Sequence, residues 1–142
     1  MSRYHLMLLV FVSVLIWSGV APKDYPTWAM EVAPAIIGVV VVLLTYRRFR
    51  LSDFAYVCLL AHAIVLMVGG HYTYAEVPLF DWLRDVLGQS RNNYDKVGHF
   101  AQGFVPAVVA RELLLRLQIV QKRGWVGFLS VCVCLAISAF YE

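Results

Sequence analysis

The chain has 142 residues, 61% of them hydrophobic, and a mean hydropathy of +0.72. Its long, nearly uncharged apolar runs exclude a soluble domain, which is usually about 45–50% apolar, and indicate an all-α polytopic transmembrane helix bundle. The net charge of +3 is carried in short basic clusters at predicted helix ends. No basic stripe or nucleic-acid-binding motif accompanies them, so the expected partner is the lipid bilayer, with no nucleic acid.

The first two spans are predicted over residues 5–20 and 28–46. Pro22, directly after the first apolar run, argues against a cleaved signal peptide, so we expect this span to be retained. Three arginines follow the second span and give the strongest orientation signal in the chain. They place this loop and the N-terminus in the cytoplasm: Arg47, Arg48 and Arg50.

The third span is predicted over residues 53–70, with His62 at its centre. An ionisable residue at that depth is a functional candidate, although a neutral histidine bonded to a neighbouring helix fits as well. The outer loop 71–94 follows. Within it, Pro78 and Gly88 bound a short amphipathic helix over residues 78–87, which we expect to lie in the membrane interface and to roof the next helix.

The last two spans are predicted over residues 97–117 and 125–142. Four basic residues in and after the fourth span predict a second cytoplasmic cluster: Arg111, Arg116, Lys122 and Arg123. The prediction is therefore one domain with five spans in the bacterial inner (plasma) membrane. The fifth span is still apolar where the sequence stops, so we expect a fragment of a longer protein.

One helical face at the start of the fourth span carries three polar residues, Asp95, His99 and Gln102, at positions i, i+4 and i+7. These side chains lie at about the depth of a membrane interface. Arg111 and Glu112 come at the other end of the same helix. Glu142 ends the fifth span toward the outside, which would bring it near the depth of Asp95 and His99.

Three stretches carry a resemblance: HYTYAEVPLFDWLRD (71–85), NNYDKVGHFAQGFVPAVVARELLLR (92–116) and SAFYE (138–142). They resemble the YjdF-type bacterial inner-membrane proteins, a family whose domain has no assigned function and whose members look longer than this chain. Asp95-Lys96-x-x-His99-Phe100 is more distantly similar to the D-K-x-x-H-F signature of VanZ-like membrane proteins. The positions matching the family motif are His71, Tyr74, Glu76, Pro78, Asp81, Asp95, His99, Gln102, Pro106, Arg111, Glu112 and Glu142.

The first functional hypothesis is a membrane-embedded enzyme that acts on a lipid-linked or envelope substrate at the outer face. Asp95 would orient His99, which would act as the acid and base. Glu142 would be a second carboxylate, and His71 would come from the outer loop. His71, Asp95, His99 and Glu142 have plausible nitrogen and oxygen ligands for a metal, but no HExxH-type spacing supports one. We therefore predict no metal site, and the cofactor is left open. Substrate contacts would come from Gln102, Asp81, Arg111 and Glu112.

Two alternatives stay open. In a small transporter or channel component, His62 and other polar residues would line a pathway. In a structural protein, Asp95 and His99 would hydrogen-bond across helices, and Gly98 and Gly103 would let helices approach closely. Arg111 and Glu112 would then be an ordinary cytoplasmic ion pair. Convergence of Glu142 on His99 would favour the enzyme, and a polar path through His62 would favour transport. The oligomeric state is left open.

Overall fold

A computed structural model describes residues 2–141, the last of them by its backbone alone. Within these residues the chain forms six α-helices and no strand, which confirms the predicted all-α class. The helices are α1 (Arg3–Gly19), α2 (Tyr25–Thr45), α3 (Asp53–Tyr72), α4 (Pro78–Leu87), α5 (Tyr94–Arg116) and α6 (Arg123–Tyr141).

Local sequence signals set several helix ends. The Asp24 carboxylate caps α2 by accepting from the Thr27 backbone N–H at 2.8 Å, and Ser52 caps α3 by accepting from Ala55. The short helix α4 begins at Pro78 and ends before Gly88, which has a φ of 62°. These are the residues that predicted it, because proline is suited to a first turn and glycine to a left-handed C-cap.

Three helices, α2, α3 and α6, are long and apolar enough to cross a membrane. The prediction of five spans is therefore not confirmed. Helix α1 is apolar but only 17 residues long. Helix α5 has 23 residues, but charged residues at both ends leave only residues 97–110 uncharged. That stretch rises about 21 Å at 1.5 Å per residue, against a hydrocarbon core of about 30 Å.

Helix α3 is at the centre of the bundle. Helices α1, α2 and α5 all pack against α3, and α6 packs against α5. The buried core lies among the first three helices, where Met67 and Val32 are almost completely enclosed. The other members of this core are Phe11, Ala35, Ala63 and Leu66.

Polar contacts collect at two ends of the bundle. At one end, which we name the Arg-rich end, the Tyr4 hydroxyl donates to Asp53 at 2.7 Å and Arg3 pairs with the same carboxylate at 2.5 Å. At the other, the mixed-charge end, Lys23 pairs with Glu76 in the segment after α3. Five arginines mark the Arg-rich end: Arg3, Arg47, Arg48, Arg50 and Arg116.

Candidate functional site

Asp95, in the first turn of α5, is bound by a neighbour from the preceding loop. Arg91 donates to one carboxylate oxygen at 2.9 Å, and the backbone N–H of Lys96 donates to the other at 2.9 Å. The first N–H groups of a helix have no partner within the helix, which favours an acceptor at this place. The expected bond from Asp95 to His99 is not among the hydrogen bonds of the described residues.

His99 lies one turn deeper in α5 and its side chain is exposed. No hydrogen bond, ion pair or ring contact reaches it from any described residue. Gly103, a further turn along, is also exposed, and a Cβ atom placed there would meet no atom within 4 Å. This face of α5 is therefore open beneath the imidazole.

Gln102, a predicted substrate contact, connects α5 to α6. Its side-chain amide donates to the Ser138 hydroxyl at 3.3 Å. A polar bond between facing helices is a common device for holding membrane helices together. Glu142, the predicted second carboxylate, lies outside the described residues, so its convergence on His99 stays a prediction.

His71 lies on the opposite side of α3, against α1. The Nδ1 atom of its imidazole is 2.9 Å from the Ser18 carbonyl oxygen, and its ring lies 4.8 Å from the Trp17 ring. The His71 carbonyl also accepts from the Lys23 backbone N–H at 3.1 Å. These contacts fasten the end of α3 to the α1–α2 turn, away from the start of α5.

Asp81 belongs to a polar cluster around Asn92, a buried residue that the sequence interpretation missed. The Asn92 amide donates to the Val77 carbonyl at 3.0 Å and to Asp81 at 3.2 Å. Its side-chain oxygen accepts from the Tyr94 backbone N–H at 3.0 Å. Arg84 supplies a further bond to Asp81 at 3.1 Å. Asn92 thus ties the start of α4 to the start of α5.

The predicted roof over His99 is not seen in these contacts. Helix α4 reaches α5 at its first residue, where the Phe80 ring lies edge-on to Tyr94 at 5.1 Å. Among the described residues, no hydrogen bond or ring contact joins α4 to His99. The amphipathic helix therefore covers the end of α5 and leaves the face below it open.

Tyr74 fills the notch between α3 and α5. It was named from the sequence as a motif position and was assigned no role. Thr73 and Tyr74 both have left-handed backbones, with φ of 57° and 56°, and turn the chain back after α3. The Tyr74 ring lies against Gly69 of α3 and Gly98 of α5. Gly98 was predicted to permit the close approach of another helix. The group that lies close to Gly98 is instead the Tyr74 ring. The neighbouring prediction for Gly103 is wrong, because the space there is empty.

Glu112 is at the other end of α5, 17 residues and about 26 Å of helix from Asp95. Its carboxylate accepts from the Ser52 backbone N–H at 2.6 Å and from the Ser52 hydroxyl at 2.7 Å. Arg116 pairs with it at 2.6 Å. The expected ion pair with Arg111 is wrong, since Arg111 is exposed and Arg116, one turn along, has taken that place.

The comparisons with other proteins agree with the resemblance seen in the sequence. A family profile described as "Predicted membrane protein (DUF2238)" matches residues 3–142. The chain belongs to this family. It is also 52% identical over 134 residues to "Inner membrane protein YjdF" of Escherichia coli (strain K12). No solved structure matches the chain.

The alignment with the Escherichia coli protein covers 94% of this chain and 64% of that protein, so the chain spans just under two thirds of its relative's length. The YjdF-type resemblance is confirmed, and with it a membrane protein related to a named inner-membrane protein. The VanZ-like similarity stays a prediction.

The predicted site residues are distributed over both ends of the bundle. Asp95, His99 and Gln102 share the N-terminal part of α5, whereas Glu112 and Arg111 lie at its other end and His71 faces α1. No group of three His, Cys, Asp or Glu side chains among the described residues could hold a metal ion. Of the predicted cluster, Asp95, His99 and Gln102 therefore lie together in the first turns of α5.

Proposed function

We propose that this is a five-span, single-domain protein of the bacterial inner membrane, with an acid–base site on α5. That site would act on a lipid-linked or envelope substrate at the outer face. The observation that carries the proposal is His99, an exposed imidazole with no bonding partner among the described residues. The other predicted site residues with known contacts form hydrogen bonds at helix ends or between two helices.

Two features support spans for α1 and α5. Helix α1 has 17 residues and so rises about 26 Å, and a modest local thinning of the bilayer accommodates such a helix. The uncharged part of α5 is flanked by Lys96 and Arg111, both exposed. Long basic side chains at helix ends extend toward the headgroups and lengthen the effective span.

The orientation is supported by the grouping of charges in the fold. The Arg-rich end brings together the arginines around the start of α1, the end of α2 and the end of α5. An excess of arginine and lysine near helix ends is typical of the cytoplasmic side. The N-terminus would then be cytoplasmic, and Asp95 and His99 would lie toward the outside.

The chemistry follows from the side chains of this face. An imidazole exchanges protons near neutral pH, which suits it to act as an acid and a base in one reaction cycle. Asp95 lies one turn away and is held by Arg91, so its carboxylate has a fixed place one turn from the imidazole. Gly103 leaves room below the imidazole for part of a substrate.

The test compares liposomes carrying the wild-type chain, His99→Gln or His5→Gln, each incubated with lipids extracted from bacterial envelopes. Mass spectrometry of the lipids before and after incubation shows whether a lipid-linked species is consumed. We expect the wild type to consume one species and His99→Gln to do so at least about 100-fold more slowly. His5→Gln is the matched control, because His5 is exposed at the Arg-rich end and should keep full activity.

Two results would contradict the proposal. One is an unchanged lipid profile with folded wild-type protein present. The other is equal activity of the wild type and His99→Gln. Thermal unfolding of both proteins accompanies the assay, because replacement of an exposed side chain should change the free energy of unfolding by less than about 0.5 kcal/mol. A large loss of stability in His99→Gln would instead assign the residue to helix packing.

A structural role is the second candidate, supported by the bonds of Gln102, His71 and Glu112 to other helices. The transport alternative gains less from the structure. The Nε2 atom of His62 is buried without a hydrogen-bond partner among the described residues, but the cavity beside it is walled there by apolar residues such as Phe11, Ala63 and Leu66. No chain of polar side chains through His62 is seen in the described part of the protein.

A further inference from the structure

A cavity of about 350 Å³ lies between α1, α2 and α3, on the side of the bundle away from His99. Along α2 its wall extends from Tyr46 to Pro34, a rise of about 18 Å. Most of the wall is aliphatic. Gly38 contributes no side chain, and a Cβ atom placed there would meet no atom within 4 Å. A long apolar space of this kind matches a hydrocarbon chain lying parallel to the helices.

The cavity reaches the protein surface at the Arg-rich end. Ser2, His5 and Leu43 belong to its wall there, and all three are exposed. Tyr4 and Tyr46 complete this part of the wall. A ligand could therefore have one part in the cavity and another part among the polar groups outside it.

Arg50 lies over two residues of this part of the wall. Its guanidinium carbon lies 5.1 Å from the centre of the Tyr4 ring and 5.0 Å from that of Tyr46. Stacking on two rings holds a guanidinium in place, and the N–H groups at its edge can donate to a further acceptor. The Arg50 side chain is exposed and forms no ion pair with any described residue.

The surroundings of the opening are positively charged. Arg47 and Arg48 are exposed beside Arg50, also without an ion pair among the described residues. Asp53 is the carboxylate nearest to Tyr4, and Arg3 pairs with it at 2.5 Å. The local balance therefore favours a negatively charged group at the opening.

We propose that this cavity binds one acyl chain of an anionic phospholipid, whose phosphate is held by Arg50 at the Arg-rich end. The apolar wall suits the acyl chain, and the stacked guanidinium suits the negative charge of the phosphate. Arginine suits this task because its planar N–H groups match the oxygens of a phosphate. The inference uses none of the α5 residues and holds whether or not the proposed function does.

The experiment measures lipid binding by native mass spectrometry of the full chain in nonionic detergent. The protein is titrated with dioleoyl-phosphatidylglycerol or with dioleoyl-phosphatidylcholine, which carries the same chains under a zwitterionic headgroup. Gly38→Leu fills the cavity, and Gly127→Leu is its control, since Gly127 lies on α6 with equally open space. Arg50→Gln removes the charge, with Arg123→Gln as its control at the start of α6.

We expect the wild type to retain one phosphatidylglycerol molecule and to bind it more tightly than phosphatidylcholine. Arg50→Gln should weaken phosphatidylglycerol binding about fivefold, the equivalent of one basic residue beside an anionic headgroup, and leave phosphatidylcholine binding unchanged. Gly38→Leu should lose the retained lipid. Both control variants should behave as the wild type does.

Equal binding of the two lipids by the wild type would overturn the proposal, as would unchanged retention by Gly38→Leu, which would indicate adventitious lipid only. A change of Gly38→Leu from dimer to monomer would also overturn it, by showing that a second copy of the chain occupies this surface. If circular dichroism shows that Gly38→Leu does not fold, the comparison of Arg50→Gln with Arg123→Gln decides the question.

Discussion

The two halves of this protein, α1–α3 and α5–α6, are built differently. In the first half, three helices enclose Met67 and Val32, which belong to one continuous buried core. In the second, the main packing partner of α6 among the described residues is α5, and large residues such as Leu135 and Phe140 are 64% and 93% exposed. Because membrane helices associate mainly through packing contacts, the first half should carry most of the stability. The second half depends on how α5 is fastened to α3.

The largest expected effect is the loss of the core side chain Met67. Met67 has no exposed surface, so Met67→Ala should leave a cavity and lower the free energy of unfolding by about 2–5 kcal/mol. The equivalent truncation in the second half, Leu135→Ala, should change it by less than about 0.5 kcal/mol. Unfolding by denaturant in detergent micelles measures both.

Met30→Ala provides the control for the first comparison, because Met30 is 68% exposed on α2 and its truncation leaves no cavity. If Leu135→Ala were as destabilising as Met67→Ala, the two halves would be packed equally well and the contrast between them would be wrong.

An intermediate effect is expected where the halves meet. A Cβ atom at Gly98 would lie 2.8 Å from the Tyr74 ring, so Gly98→Ala should force this ring out of the notch and cost about 1–3 kcal/mol. Gly103→Ala lies on the same helix with open space around it and should be neutral or slightly stabilising. Thermal unfolding compares the two variants, and equal melting temperatures would show that Tyr74 does not fasten α5 to α3.

The smallest effect is expected at the mixed-charge end. Asn92→Ala removes the bonds to Val77, Asp81 and Tyr94 and should lower the free energy of unfolding by about 1 kcal/mol. Its clearer consequence should be local, namely faster proteolysis within residues 75–93. Asn93→Ala is the matched control, since the Asn93 side chain bonds, among the described residues, to its near neighbours Gln89 and Arg91. Equal cleavage rates of the two variants would show that Asn92 does not hold the start of α4 to the start of α5.

The helices could be predicted from the sequence because their signals are local. Pro78 and Gly88 gave the two ends of α4 as the structure has them, and the long apolar runs located the five longer helices. The number of membrane spans was harder to predict from the sequence, because α5 has polar residues at both ends. Composition alone cannot tell whether such a helix crosses the bilayer or lies against the protein.

The site was less predictable, because its contacts join residues far apart in the chain. The periodicity correctly placed Asp95 and His99 on one face, but only the fold shows that Arg91 pairs with the Asp95 carboxylate. His71 and Glu112 looked like members of the same cluster until their partners, Ser18 and Ser52, became known. Asn92 was missed, and Tyr74 was named only as a motif position, because no spacing shows that a loop amide or ring will be buried between helices.

The bond between Glu112 and Ser52 has a consequence for the order of synthesis. Its two residues are 60 positions apart, so the ribosome takes about 3–12 s to add the second after the first. During that interval the first turn of α3 has emerged without the carboxylate that later accepts its N–H and hydroxyl groups. Until then the start of nascent α3 has the Ser52 cap and the contacts of Asp53 with Tyr4 and Arg3, and the translation of α5 adds the Glu112 carboxylate.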